Sequence, residues 1–264
     1  MNSRPSVIRI IVSVLLPIIV MYAVSLLFYL GAMAVYSTFF AGGTEPMDAF
    51  MYRNNSLISI AALIASAVIF SVLFKKEHAA YSNEIFKKPY YFIPVILIGC
   101  LASHGLSILV SLINIDGIIG NYESTSTELF AGGIIIIIIR VVILSAITEE
   151  LVFRGLVFNR LNKYIGFWPS ALIASALFGI YHLNLAQGVY AFLFGIVLCL
   201  VYDRFRNILA PIVLHASANL LSVVIELVKL NYPSILIYVL VMIGCLAGVF
   251  LIYFFIIRRR PGRA

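Results

Sequence analysis

Apolar runs of about 20 residues recur along the whole of this 264-residue chain, and they restrict it to one solvent. A helix rises about 1.5 Å per residue, so about 20 mostly apolar residues are what a crossing of the hydrocarbon slab needs. Runs of that kind lie at roughly 8–36, 56–74, 90–113, 130–162, 168–184, 187–202, 208–228 and 234–257. The chain is 63% hydrophobic and only 11% charged, too few polar residues to cover a water-soluble surface. Ala32-Met33-Ala34 resembles a signal-peptidase site, but the run before it is much longer than a signal core, so it is read as a retained first helix. The expected fold is all-α, a polytopic membrane protein of about eight transmembrane helices.

Charge sets the expected orientation. The net charge of +7 is divided into short clusters between apolar runs, the pattern of cytoplasmic loops and not of a nucleic-acid surface. With the N-terminus inside, the inner segments hold Arg4, Arg9, Lys75, Lys76, Lys87, Lys88, Arg154, Arg160, Lys163, Arg204, Arg206 and the tail Arg258, Arg259, Arg260 and Arg263. The outer segments hold only Arg53 and Lys229, and segment 114–128 carries Asp116, Glu123 and Glu128 without a basic residue. Both termini are therefore expected in the cytoplasm of a multi-pass cell-membrane protein, with short loops of bacterial character. Cys100, Cys199 and Cys245 each sit inside an apolar run at no ligand-like spacing and read as packing residues.

Ionisable residues inside apolar helices are costly, about 2.5–3.5 kcal/mol each on insertion scales, and persist where they pair or work. Here they gather between residues 140 and 226: Arg140, Glu149, Glu150, Arg154, His182, His215, Asn219 and Glu226. Helices four and five form a hairpin turning near Gly166, with Pro169 in the first turn of the second helix. Glu149 and Glu150 lie about 16 residues before that turn and His182 lies 16 after it. Equal distance from the turn means equal depth, roughly 20 Å above it, so carboxylates and imidazole can face each other. Glu150 and Arg154 are four residues apart and can pair on one face, leaving Glu149, about 100° away, to act. Phe178 with His182, and His215 with Asn219, share faces in the same way. Gly155 and Gly179 leave room for close helix approach.

Glu149-Glu150-Leu151-Val152-Phe153-Arg154 resembles the EExxxR motif of the CPBP family, the type II CAAX prenyl endopeptidases and bacteriocin-processing or immunity (Abi) proteins. Phe178-Gly179-Ile180-Tyr181-His182 resembles its FxxxH motif, and His215-Ala216-Ser217-Ala218-Asn219 its HxxxN motif. The resemblance covers about residues 130–225. It implies a membrane-embedded endopeptidase with a conical catalytic-type core of helices four to seven. Glu149 would activate water with His182, His215 and Asn219 would stabilise the oxyanion, and Glu150, Arg154 and Phe178 would support the site. The expected organisation is an N-terminal three-helix region (1–129), the catalytic core (130–228), and a last helix with a basic tail (229–264).

Elementary chemistry agrees with part of this. Amide hydrolysis needs an activated water and donors for a developing oxyanion. A zinc site would instead need about three protein ligands and an open position, and Glu149, His182 and His215 could supply that number. The compact HExxH spacing is absent. Asn219, a poor metal ligand and a good oxyanion donor, favours the metal-independent route, but the sequence leaves both open. The expected partners are the lipid bilayer and a peptide or membrane-protein substrate, lipidated or a precursor. A non-catalytic immunity or scaffold protein would use the same polar pocket for binding, and a transporter or proton relay lacks the repeats that such folds carry.

Overall fold

The computed structural model describes residues 6–77, 89–113 and 133–257. The tail arginines, Arg4, Lys87, Lys88 and the acidic segment 114–128 lie outside the described residues. All regular structure among those described is helical. Helix α1 spans Val7–Phe39, α2 Met47–Glu77, and α3 Phe92–Leu112 after a short 3-10 turn at Pro89–Tyr91. Helix α4 runs unbroken over 134–165, α5 spans Phe167–Tyr181, α6 Leu185–Phe205, α7 Leu209–Val228 and α8 Ile235–Leu251, the last continuing as a wider coil over Ile252–Ile257. Six of these, α1, α2, α3 with its 3-10 turn, α6, α7 and extended α8, are long and apolar enough to cross a bilayer. Helix α5, with 15 residues, is shorter than a full crossing requires.

Side chains fix several helix ends. Ser6, Asn184 and Ser234 each accept a backbone N–H in the first turn of α1, α6 and α8, satisfying a donor that the helix itself leaves open. Helices α4 and α5 are joined through Gly166 alone, whose φ of +77° is the backbone setting that glycine adopts without cost. The turn thus lies where the sequence puts it. Helix α2 begins nine residues before the expected 56, because Asp48, Arg53, Asn54 and Asn55 extend the coil past its apolar stretch.

Helix α4 is the axis of the molecule, packed against α1, α2, α5, α6 and α7. Within it, Ile138–Ser145 and Leu151–Phe158 are wound as π-helix on either side of the regular turn Ala146–Glu150. Such widened turns are uncommon and gather at functional sites. In lipid there is little hydrophobic drive between helices, so close packing does the work. A Cβ on Gly179 would lie 2.6 Å from the Gly188 carbonyl oxygen of α6, and one on Gly155 would lie 2.8 Å from the Phe74 ring of α2. Both glycines therefore hold helices close, as their positions predict.

Arg160, near the end of α4, bonds the Ser13 carbonyl of α1 and pairs with Glu77 of α2. This locks one end of α4 to the first hairpin. Arg9, Lys75, Lys76, Lys163, Arg204 and Arg206 belong to the same ends of their helices.

Candidate active site

The geometry begins with Glu150. It is fully buried, as is Arg154, and the two meet at 2.8 Å one turn apart on α4. The other terminal nitrogen of Arg154 donates to the Gly195 carbonyl of α6 at 3.3 Å. Its guanidinium lies 4.6 Å from the centre of the Phe178 ring of α5. The ion pair is the one that the four-residue spacing predicts, and the fold adds a carbonyl and an aromatic face. A buried charge is tolerated only when paired and hydrogen-bonded. Arg154 receives an anion, a carbonyl and a π-face, which also explains why phenylalanine stands at 178.

His215 of α7 joins the pair. Its Nδ1 lies 2.8 Å from the same Glu150 Oε1 that Arg154 uses. Its Nε2 faces Glu149 Oε2 at 3.7 Å, beyond hydrogen-bond length. The rings of Phe178 and Phe194 stand edge-on to the imidazole at 5.9 and 5.6 Å. Glu149 is 7% exposed and His215 5%, so both are nearly closed off. The Ser145 hydroxyl, one turn earlier, donates to Glu149 Oε1 at 2.5 Å. Ser145 went unremarked in the sequence, although it sits four residues before Glu149.

His182 caps the end of α5. Its Nδ1 donates to the Phe178 carbonyl at 2.9 Å, and its ring meets Phe178 edge-on at 4.9 Å. The expected packing of this i,i+4 pair is present, and the Nδ1 bond leaves Nε2 as an acceptor. Asn219, one turn after His215, uses Nδ2 to donate to the Val141 carbonyl of α4 at 2.8 Å. Its amide has a second N–H. Glu149, Glu150, Arg154, Phe178 and His215 therefore form one contact set. His182 is attached to it through Phe178, and Asn219 through α4. His104 lies apart, 2.7 Å from the Tyr232 hydroxyl.

No group of three described His, Cys, Asp or Glu side chains is spaced to hold a metal ion. The trio Glu149, His182 and His215 is not such a group: His215 is bonded to Glu150 and His182 to a main-chain carbonyl. The cysteines are free thiols. Hollows of about 590 Å³ between α1 and α2 and about 420 Å³ beside Trp168, Asp203 and Arg206 are lined by other residues.

Residues 131–221, which contain every member of this set, match the family model of the Rce1-like type II CAAX prenyl endopeptidases. The match covers about a third of the chain. The chain is 26% identical to the putative membrane peptidase YdiL of Bacillus subtilis (strain 168), over 71% of this chain and 78% of that protein. It is equally 26% identical to the membrane-embedded CAAX protease MroQ of Staphylococcus aureus (strain USA300), again over 71% of this chain and 78% of that one. No solved structure matches the chain significantly. The Rce1-like match and these relatives support a multi-pass membrane protease acting on peptide substrates.

Proposed function

We propose that this protein is a membrane-embedded endopeptidase in which Glu149 is the general base. The observation that carries the reading is the geometry around Glu149 Oε2. That oxygen faces His215 Nε2 at 3.7 Å, too far for either to satisfy the other. A carboxylate and a ring nitrogen side by side, neither satisfied by the other, can present a base and a donor to the same reacting group. Glu149 takes the proton of the attacking water, assisted by Nε2 of His182, and later passes it to the leaving amine. His215 Nε2–H and the second N–H of Asn219 receive the oxyanion, which is where fixed donors contribute most. Glu150 holds the His215 ring by Nδ1 and is itself held by Arg154. Arg154 supplies a cation beside the buried carboxylates, and His215 shares Glu150 Oε1 with it.

No step in this scheme passes through a metal ion. The substrate is a membrane-associated peptide, either a lipidated carboxyl-terminal segment or a precursor peptide. The core that carries the site is 130–228. The basic ends of α1, α2, α4 and α6 face the cytoplasm, by the positive-inside rule.

The test is direct. Purified protein in lipid nanodiscs is incubated with a panel of prenylated and unmodified precursor peptides, and new termini are identified by mass spectrometry. Cleavage by the wild type and none by Glu149→Gln is the expected result. A folded wild-type protein that cuts no peptide, together with a Glu149→Gln strain of unaltered phenotype, would refute the proposal.

A further inference from the structure

Helix α5 is too short to cross the bilayer, and the way its end is closed draws in a helix from outside the catalytic core. A helix leaves its last four carbonyls without partners of its own, and at membrane depth each must find a donor. At the end of α5 these belong to Phe178, Gly179, Ile180 and Tyr181. His182 supplies two of the donors: its ring Nδ1 meets the Phe178 carbonyl at 2.9 Å and its backbone N–H the Gly179 carbonyl at 3.2 Å. The Leu183 N–H takes the Ile180 carbonyl at 3.1 Å. Leu183 does so at φ +56°, a left-handed cap that glycine adopts freely and leucine only at a cost. The fourth carbonyl, on Tyr181, accepts from the Tyr22 hydroxyl of α1 at 2.6 Å.

Ring contacts run along the same line. Tyr22 and Tyr181 lie 5.2 Å apart, and the Tyr181 ring meets Phe153 of α4 at 5.6 Å and His182 at 5.4 Å. His182 thus stands just past the last turn of α5, with a strained residue after it and a clamped one before it. Helix α1 is itself fixed to α4 by packing and by the bond from Arg160 to the Ser13 carbonyl. The Tyr22 hydroxyl therefore ties the end of α5 to the frame that carries Glu149. Tyr22 lies far outside the family-matched segment 131–221.

Resting on the endopeptidase reading above, we propose that Tyr22 is a positioning residue for that reaction: by holding the Tyr181 carbonyl, its hydroxyl sets the direction in which His182 presents Nε2 to the attacking water. It touches neither substrate nor reacting atoms. Without the hydroxyl, the Tyr181 carbonyl is left unpaired at membrane depth, which is costly. The Tyr181–His182 peptide then turns to find another donor and carries the imidazole with it. Helix α1 in this way serves the chemistry as well as the bundle.

Tyr22→Phe removes the hydroxyl and keeps the ring. It is compared with the wild type in nanodiscs on a peptide that the wild type cuts, and a dansyl-labelled copy of that peptide serves as the binding probe. The expected result is a fall in kcat of about tenfold, the scale of one net hydrogen bond, with KM, probe affinity and Tm little changed. In a His182→Gln background the same substitution should leave kcat almost unaltered, because the residue that it positions is gone. A second readout needs no turnover: solid-state NMR of protein labelled with 15N-histidine, the His182 signal being identified by its loss in His182→Gln. The wild type should show the Nδ1–H form, and Tyr22→Phe should shift or split the His182 signal while that of His215 stays. An unchanged kcat, an equal loss in the His182→Gln background or an unaltered His182 signal overturns the proposal. So does a Tyr22→Phe protein that fails to fold, since the hydroxyl would then serve the whole bundle. A shifted His182 signal, in a protein whose wild type cuts no peptide, would keep the positioning and remove the peptidase.

Discussion

Replacing Arg154 with methionine leaves Glu150 as an anion with no cation beside it, in a site with no solvent exposure. The substitution removes the 2.8 Å ion pair, the bond to the Gly195 carbonyl and the Phe178 cation–π contact. Among the described residues His215 remains as the only partner of Glu150 Oε1, while Glu150 Oε2 already has none. Breaking a buried pair from one side costs about 3–5 kcal/mol. For a chain of this size that corresponds to a fall in Tm of about 6–20 °C. Cys199 is fully buried and lies within interaction range of Arg154, so thiol labelling during a heating ramp, in a Cys100→Ala/Cys245→Ala background, reads the loss where it occurs. The double variant Glu150→Gln/Arg154→Met removes both charges and should recover at least about 1 kcal/mol relative to the sum of the single variants, since touching residues couple. An Arg154→Met Tm within about 2 °C of the parent, on the ~1 kcal/mol scale of an ordinary mutation, or strict additivity in the cycle, would refute the account of the buried pair.

Other perturbations separate chemistry from packing. Asn219→Ala should slow cleavage by about 100- to 1,000-fold, the usual cost of one oxyanion donor, with KM little changed in steady-state kinetics. Ser145→Ala should leave the fold intact and lower kcat by about tenfold, about the 1 kcal/mol of one net hydrogen bond; an unchanged kcat would show that Glu149 needs no such anchor. A Cβ on Gly99 of α3 would fall 2.1 Å from the Ser217 hydroxyl and 2.3 Å from the Leu214 carbonyl of α7. Gly99→Ala should therefore push α7 away and displace His215, cutting activity by about 100-fold and stability by about 1–3 kcal/mol; normal kinetics would contradict the close approach of α3 to α7.

Much of the site could be read before any coordinates. The pairing of Glu150 with Arg154 and of Phe178 with His182 follows from i,i+4 spacing, and Gly166 marks its turn because glycine alone takes that backbone setting cheaply. Hairpin registry predicted His182 at the level of the glutamates, and in the structure His182 meets Phe178, the ring that also faces Arg154 and His215. Registry fixes depth but not rotation, and here the difference matters. His182 turns its Nδ1 to Phe178, while His215, from a helix further along the chain, is the imidazole that meets both carboxylates. The π turns were invisible because Ile, Val and Leu leave no mark of a five-residue hydrogen bond. Among the described residues six helices are long and apolar enough to cross, fewer than the eight spans expected, and hydropathy cannot foresee that α5 stops at His182 after 15 residues.

The most direct measurement is single-turnover cleavage of one membrane-tethered peptide by purified wild-type and Glu149→Gln protein, matched for Tm in the same nanodiscs. Loss of the general base should slow the glutamine variant by at least about 100-fold, with probe binding retained. Equal rates in two equally stable proteins would mean that this carboxylate does not activate the water.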